Sequence, residues 1–151
     1  MNYSFEDYEN AIINALSPLL KKNGGYLRVL KGYAGELDTE ESLRQFLGNS
    51  PAVAVEIDSA TYKQENSAYL LQEIRVYIYV CARYIGTQDR ARKQGVYRIL
   101  KDIRDLLLWN RLGLDIRPVQ IKREMKLGSS KDVVIYAAEY VIINDRITGG
   151  K

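Results

Sequence analysis

Glu73-Ile-Arg-Val-Tyr-Ile-Tyr-Val-Cys-Ala-Arg-Tyr84 alternates between two kinds of side chain. Ile74, Val76, Ile78, Val80 and Ala82 occupy one set of positions, and Arg75, Tyr77, Tyr79, Cys81 and Arg83 the other. Successive side chains of a strand leave on opposite faces, so the stretch predicts a sheet strand with an aliphatic face for a core and a second face of a different kind. Tyrosine and arginine on that second face suit contact with a partner.

Working outward, Ser50-Pro51 imposes an extended entry into Ala52-Val-Ala-Val-Glu-Ile-Asp58, a strand with Val53, Val55 and Ile57 on one face and Glu56 and Asp58 on the other. The polar link Lys63-Gln-Glu-Asn-Ser67 is short, which predicts an antiparallel hairpin with the strand at 73–84. Glu56 and Asp58 are then expected to face Arg75 or Arg83 across the ladder, in exposed pairs worth about 0.2–1 kcal/mol each. Downstream, Thr87 with Asp89 opens a helix over 88–109, its stripe formed by Ala91, Val96, Ile99, Leu100, Ile103, Leu106 and Leu107. Strands near 116–127 and 132–144 follow, separated by Gly128-Ser-Ser-Lys131, which is turn chemistry for a second hairpin.

At the N-terminal end, Ser4 and Asp7 cap an amphipathic helix, Pro18 interrupts it near Ser17, and Asn23-Gly24-Gly25 stops it. Residues 26–32 read as a short strand, and Thr39-Glu-Glu-Ser-Leu-Arg-Gln-Phe-Leu-Gly48 as a short capped helix. The order of helix, short strand, short helix, hairpin, long helix and hairpin predicts an α+β fold. It consists of a single antiparallel sheet, with the N-terminal helix and the long central helix packed on one face. Residues 1–147 are expected to form one domain and 148–151 a flexible C-terminal tail.

The 151 residues, 46% hydrophobic and 27% charged, match one domain able to bury about 70% of its unfolded surface. The lone Cys81 forms no internal disulfide, and neither a signal segment nor a membrane-length apolar run is evident, so a soluble, unexported protein is expected. A formal charge of +3, with both signs interspersed, does not demand nucleic acid. Histidine is absent, which removes the side chain most used for acid–base work and transition-metal binding.

Other routes to chemistry are thin. Gly24-Gly25 lacks the Gly-Lys-Ser/Thr of a phosphate loop. Glu36, Asp38, Glu40 and Glu41 fit no calcium-loop spacing, and helix capping accounts for the last two. Cys81 sits mid-strand with no base to activate it, which predicts a packed, inert thiol. No catalytic residue, cofactor or metal ligand is assigned, and no enzyme activity is expected. Arg117, Lys122, Arg123 and Lys126 make the strand at 116–127 basic, as suits phosphates, an acidic protein surface or a charged edge guarded against aggregation.

Tyrosine use stands out, with twelve Tyr against two Phe and one Trp. Tyr77 and Tyr79 alternate on one strand, and Tyr136 and Tyr140 fall on the last one. Broad rings with wet tips suit surfaces buried against protein and also stacking platforms for nucleic acid, although no RNA-recognition signature accompanies them. The candidate interface residues are therefore Arg75, Tyr77, Tyr79, Arg83, Tyr136, Tyr140, Arg117, Lys122, Arg123 and Lys126. A nucleic-acid-binding module using the Tyr/Arg face is the alternative.

The N-terminal amphipathic helix, Pro51-Ala-Val-Ala-Val-Glu-Ile-Asp58, Glu73-Ile-Arg-Val-Tyr-Ile-Tyr-Val80, the following helix and Tyr136-Ala-Ala-Glu-Tyr-Val141 together resemble the Mu-like prophage tail protein family. That family is similar to the tail-terminator, or tail-completion, proteins of long-tailed phages, and the likeness spans about residues 4–145. It implies a structural subunit forming a ring, commonly a hexamer, that caps the head-proximal end of the tail tube and joins tail to neck. The implied partners are further copies of the chain, the tube protein, and possible sheath and neck or connector proteins, with DNA only in transient passage and no membrane. It also implies residence in a virion tail, contractile or not, or in a phage-derived particle assembled in the bacterial cytoplasm. No active-site motif comes with the family, so no residue role is carried over.

Overall fold

The structure is a computed structural model that describes residues 1–64, 66–84 and 87–148. Apart from Thr148, the expected C-terminal tail lies outside the described residues.

Capping sets where the helices begin. Ser4 Oγ accepts from Asp7 N at 3.0 Å while Asp7 Oδ2 accepts from Ser4 N at 2.8 Å, a reciprocal box that opens α1, Phe5–Leu16. Pro18, which lacks an amide hydrogen, ends α1 in a 3₁₀ turn, Ser17–Leu19, and a second turn at Lys21–Asn23 reverses the chain. Strand β1, Val29–Gly32, and helix α2, Glu40–Gly48, follow; Thr39 Oγ1 caps α2 by accepting from Ser42 N at 3.1 Å.

Strands β2, Ala52–Gln64, and β3, Leu70–Arg83, form the hairpin and are longer than expected. Their polar ends are held extended by ladder partners, a tertiary influence that local composition does not display. The expected long helix is built in three pieces: α3, Gln88–Arg90; a π-helical segment, Ala91–Val96; and α4, Tyr97–Leu107. Strands β4, Gln120–Ser130, and β5, Val133–Ile147, complete the chain.

The five strands form one sheet in the order β1-β2-β3-β5-β4. The hairpins and the β3–β5 pair are antiparallel, whereas β1 runs parallel to β2, so the sheet is mixed within an α+β fold. The parallel edge follows from the connection, because the chain crosses through α2 between β1 and β2.

The main core lies between the sheet and the helices α1 and α4. Tyr8, Ile12 and Leu16 of α1 and Ile99, Ile103 and Leu107 of α4 meet Val53, Val55, Ile74, Val76, Ile78 and Val80, all buried. Each such Val, Leu or Ile contributes about 1.5–3 kcal/mol of transfer free energy. The π segment brings Gly95 onto β3 so closely that a Cβ there would stand 2.4 Å from Ala82 Cβ. A buried polar relay crosses the same core, where Tyr8 Oη donates to Gln72 Oε1 at 2.6 Å and Gln72 Nε2 to Tyr62 Oη at 2.8 Å. Asn144 Nδ2 adds a bond to Met1 O at 2.8 Å, tying the chain's start to β5.

The opposite sheet face is not left bare. Helix α2 lies on it, and Phe46 packs with Ala52, Ala54, Cys81, Val133 and Ile135 in a second, smaller core. Among the described residues, no helix is long and apolar enough to cross a membrane.

Candidate interface on the second sheet face

Strand parity fixes which side chains reach the second face. Ala52, Ala54 and Glu56 of β2 stand beside Cys81, Tyr79 and Tyr77 of β3, and these in turn beside Ile135, Ala137 and Glu139 of β5. Arg75 is level with Val141, and Arg123 of β4 with Glu139. One half of the face, from Ala52 to Ile135, is covered by α2, with Arg83 level with Val133 at that end; the other half carries Tyr77, Arg75 and Arg123, and Tyr79 borders the two.

That open half is organised around Glu139, which is only 7% exposed. Arg75 Nε lies 3.1 Å from Glu139 Oε2, and Arg123 Nε donates to Glu139 Oε1 at 2.9 Å. A buried carboxylate needs such partners, and two guanidinium groups placed over it supply them. The bond from Arg123 to Glu139 raises the arginine's already high pKa further. Beside this triad the rings of Tyr77 and Tyr79 stack at 6.3 Å, and Tyr33 closes on Tyr79 at 4.8 Å. Tyr79 Oη donates to Glu56 Oε1 at 2.7 Å, and its pKa is raised first by burial and then by that carboxylate.

Several predicted positions stand elsewhere. Tyr136 and Tyr140 pair with Val80 and Val76, which places them on the helix-covered face rather than with Tyr77 and Tyr79. Tyr140 is 1% exposed and belongs to the core, so it cannot be a surface contact. Tyr136 packs edge-on against Tyr97 of α4 at 5.9 Å. The tyrosine count alone does not set the face; the pairing of even positions on β5 with the aliphatic positions of β3 does. Lys126 is level with Tyr136 and also belongs to the helix side, exposed near its edge. Lys122 is exposed in a bulge of β4, where the register slips between Ile121 and Arg123.

The expected cross-strand carboxylates are also replaced. Asp58 falls in the bulge between Ile57 and Ser59, and Arg83 instead pairs with Asp132 at 3.2 Å. Arg117 binds Asp145 at 2.9 Å, which lowers the Asp145 pKa below its usual 3.8. Every arginine predicted for the interface therefore has a carboxylate partner. On the helix side, Arg104 Nε lies 2.9 Å from Glu124 Oε2, in a charge contact off the line of a hydrogen bond.

Cys81 is packed beneath α2, its thiol 3.8 Å from Phe46 O, and burial pushes its pKa up to about 12. It is thus a protonated, shielded thiol at neutral pH. The acidic loop is absorbed by structure: Glu36 accepts twice from Ala34 N and lies 3.4 Å from Lys31 Nζ, while Asp38 accepts from Tyr33 Oη. No cluster of metal-ligating side chains occurs among the described residues.

Glu139 was missed in the sequence reading, although a lone acid in the apolar run from Val133 to Ile143 was its visible signal. Phe46 was missed as the cover of Cys81 because nothing local tells a short helix which sheet face it joins. The family described as Bacteriophage Mu, Gp37 matches the chain over residues 5–143. No curated protein matches it.

Proposed function

Because the chain belongs to the Bacteriophage Mu Gp37 family, and is thereby a tail-related phage structural protein, we propose that it acts as a tail terminator. In this reading copies assemble into a ring, six being the expected number, that caps the head-proximal end of the tail tube and meets the neck. The role is one of assembly rather than catalysis, carried out in a virion tail or phage-derived particle put together in the bacterial cytoplasm. DNA passes through the ring, and sheath or connector proteins are its further neighbours.

The observation that carries the proposal is the open half of the second sheet face. Its arginines Arg75 and Arg123 are both ion-paired within the subunit to Glu139, Glu56 adds a second carboxylate to the same face, and broad tyrosine rings lie beside them. A charge-paired, tyrosine-bearing plate offers contact area to another protein without leaving lone charges to bury there. A nucleic-acid platform needs cations free to replace counterions, and the arginines of this face are already engaged.

Mass measurement over a concentration series, with and without purified tail tubes, tests the reading. The expected result is a ring-sized species and density at one end of the tubes. A chain that stays monomeric and never associates with tube ends or neck proteins overturns it.

A further inference from the structure

The chain's single tryptophan, Trp109, is 71% exposed and is held in a left-handed backbone conformation with φ 61°. Bulky residues rarely adopt that conformation, so the position holds its tryptophan against local preference. Yet the segment is firmly built. Trp109 N donates to Val119 O at 3.0 Å and Val119 N to Asn110 O at 2.8 Å. The Asn110 side chain bonds both Leu106 O and Leu112 N, at 2.9 and 2.7 Å. The indole is therefore presented by a fixed turn at the end of α4.

A cleft of about 240 Å³ opens at the other end of the same helix and is flanked by Tyr26, Tyr84, Arg83 and Arg98, with buried Ala82 and Gly95 among its lining. An apolar cavity of roughly 150 Å³ accepts benzene, so this one has room for a bicyclic ring. Arg98 lies over the Tyr26 ring at 4.3 Å, and Arg83, paired with Asp132, also lines the cleft; the face of a paired guanidinium still accepts an aromatic ring, and indole is the best acceptor.

Knob and cleft cannot meet within one subunit. The turn at Trp109 leads into β4, which begins level with Val141 and Arg75, whereas the cleft is lined by Ala82, Arg83 and Tyr84. About eight residues of β3 separate the two levels, roughly 26 Å at 3.3 Å per residue. We propose that Trp109 of one copy inserts into the Tyr26–Tyr84–Arg98 cleft of a second copy of this chain. The contact joins two different surfaces, so it is head-to-tail, and repeating it closes a ring when the rotation permits. The inference rests on the ring reading above and names the surfaces that would form its subunit contact.

The test uses Trp109→Gly, which keeps a backbone suited to positive φ and removes the knob, and Gln94→Phe, which fills the cleft from its exposed rim. Wild-type Trp fluorescence should move to shorter wavelength in step with assembly, since no other tryptophan contributes. Each variant alone should need a concentration at least about tenfold higher to assemble, as expected for loss of a tryptophan anchor. Mixed in equal amounts, the two variants should form a dimer and nothing larger, because one supplies an intact cleft and the other an intact knob. Oligomers whose tryptophan emission does not shift, or mixed variants that form no dimer, overturn this contact while leaving the ring reading intact. A strictly monomeric wild-type chain overturns the ring reading, and the contact with it.

Discussion

Tyr140 shows how one side chain's meaning depends on the face it occupies. Its ring is buried between β5 and the helices, and its hydroxyl has no hydrogen-bond partner among the described residues. A buried hydroxyl without a partner gives little back for its desolvation. Tyr140→Phe should therefore match or slightly exceed the wild type in urea midpoint, whereas Tyr140→Ser should lose about 3 kcal/mol or more through the cavity it leaves. Asp145 offers a second case at this scale. The hydrogen bond from Arg117 lowers its pKa, so the pair adds stability above the unfolded value near 3.8 and loses it as pH falls through the lower folded value. Both partners are partly exposed, so the effect is small and weakened by salt. Asp145→Asn should flatten the acid limb of a stability-versus-pH curve without moving the alkaline limb, which acid titration by circular dichroism checks.

At the level of elements, α2 decides how much of the second face is core. It has nine residues and one fully buried anchor, Phe46, above Cys81. An element with so few buried contacts opens locally more readily than the sheet beneath it. Phe46→Ala should raise the rate of Cys81 labelling by a thiol reagent by about tenfold or more, with far-ultraviolet dichroism nearly unchanged. Labelling at the wild-type rate would mean that α2 is not what shields the thiol. The strands, capped helices and hairpin order were legible locally because period and punctuation are properties of short segments. The parallel setting of β1, the bulges at Asp58 and Lys122, and the face chosen by α2 were not, because each is settled by what lies across the sheet.

For the whole molecule, the consequence is a division of labour between two tyrosines that the sequence presents as equals. Tyr79 is braced by Tyr33 and Glu56 and borders the second core, whereas Tyr77 stands on the open side near the Arg75–Glu139–Arg123 triad. Tyr77→Ser should weaken assembly while changing the unfolding midpoint little, and Tyr79→Ser should lower stability first. Paired sedimentation and urea titrations of both variants distinguish these effects, and equal loss of stability in the two would remove Tyr77 from the interface. Two-sided alternation in residues 73–84 and the cap residues Ser4, Asp7 and Thr39 follow from covalent identity, and they alone determined the α+β elements and the aliphatic core face. Only the tertiary structure decided that Tyr136 and Tyr140 face the helices, that Glu139 is paired with two arginines, and that Trp109 and the Tyr26–Tyr84 cleft lie at opposite ends of α4. The physical reason is range: propensity and periodicity act over a few neighbouring residues, while register, face and charge pairing are set by strands and helices distant in the chain.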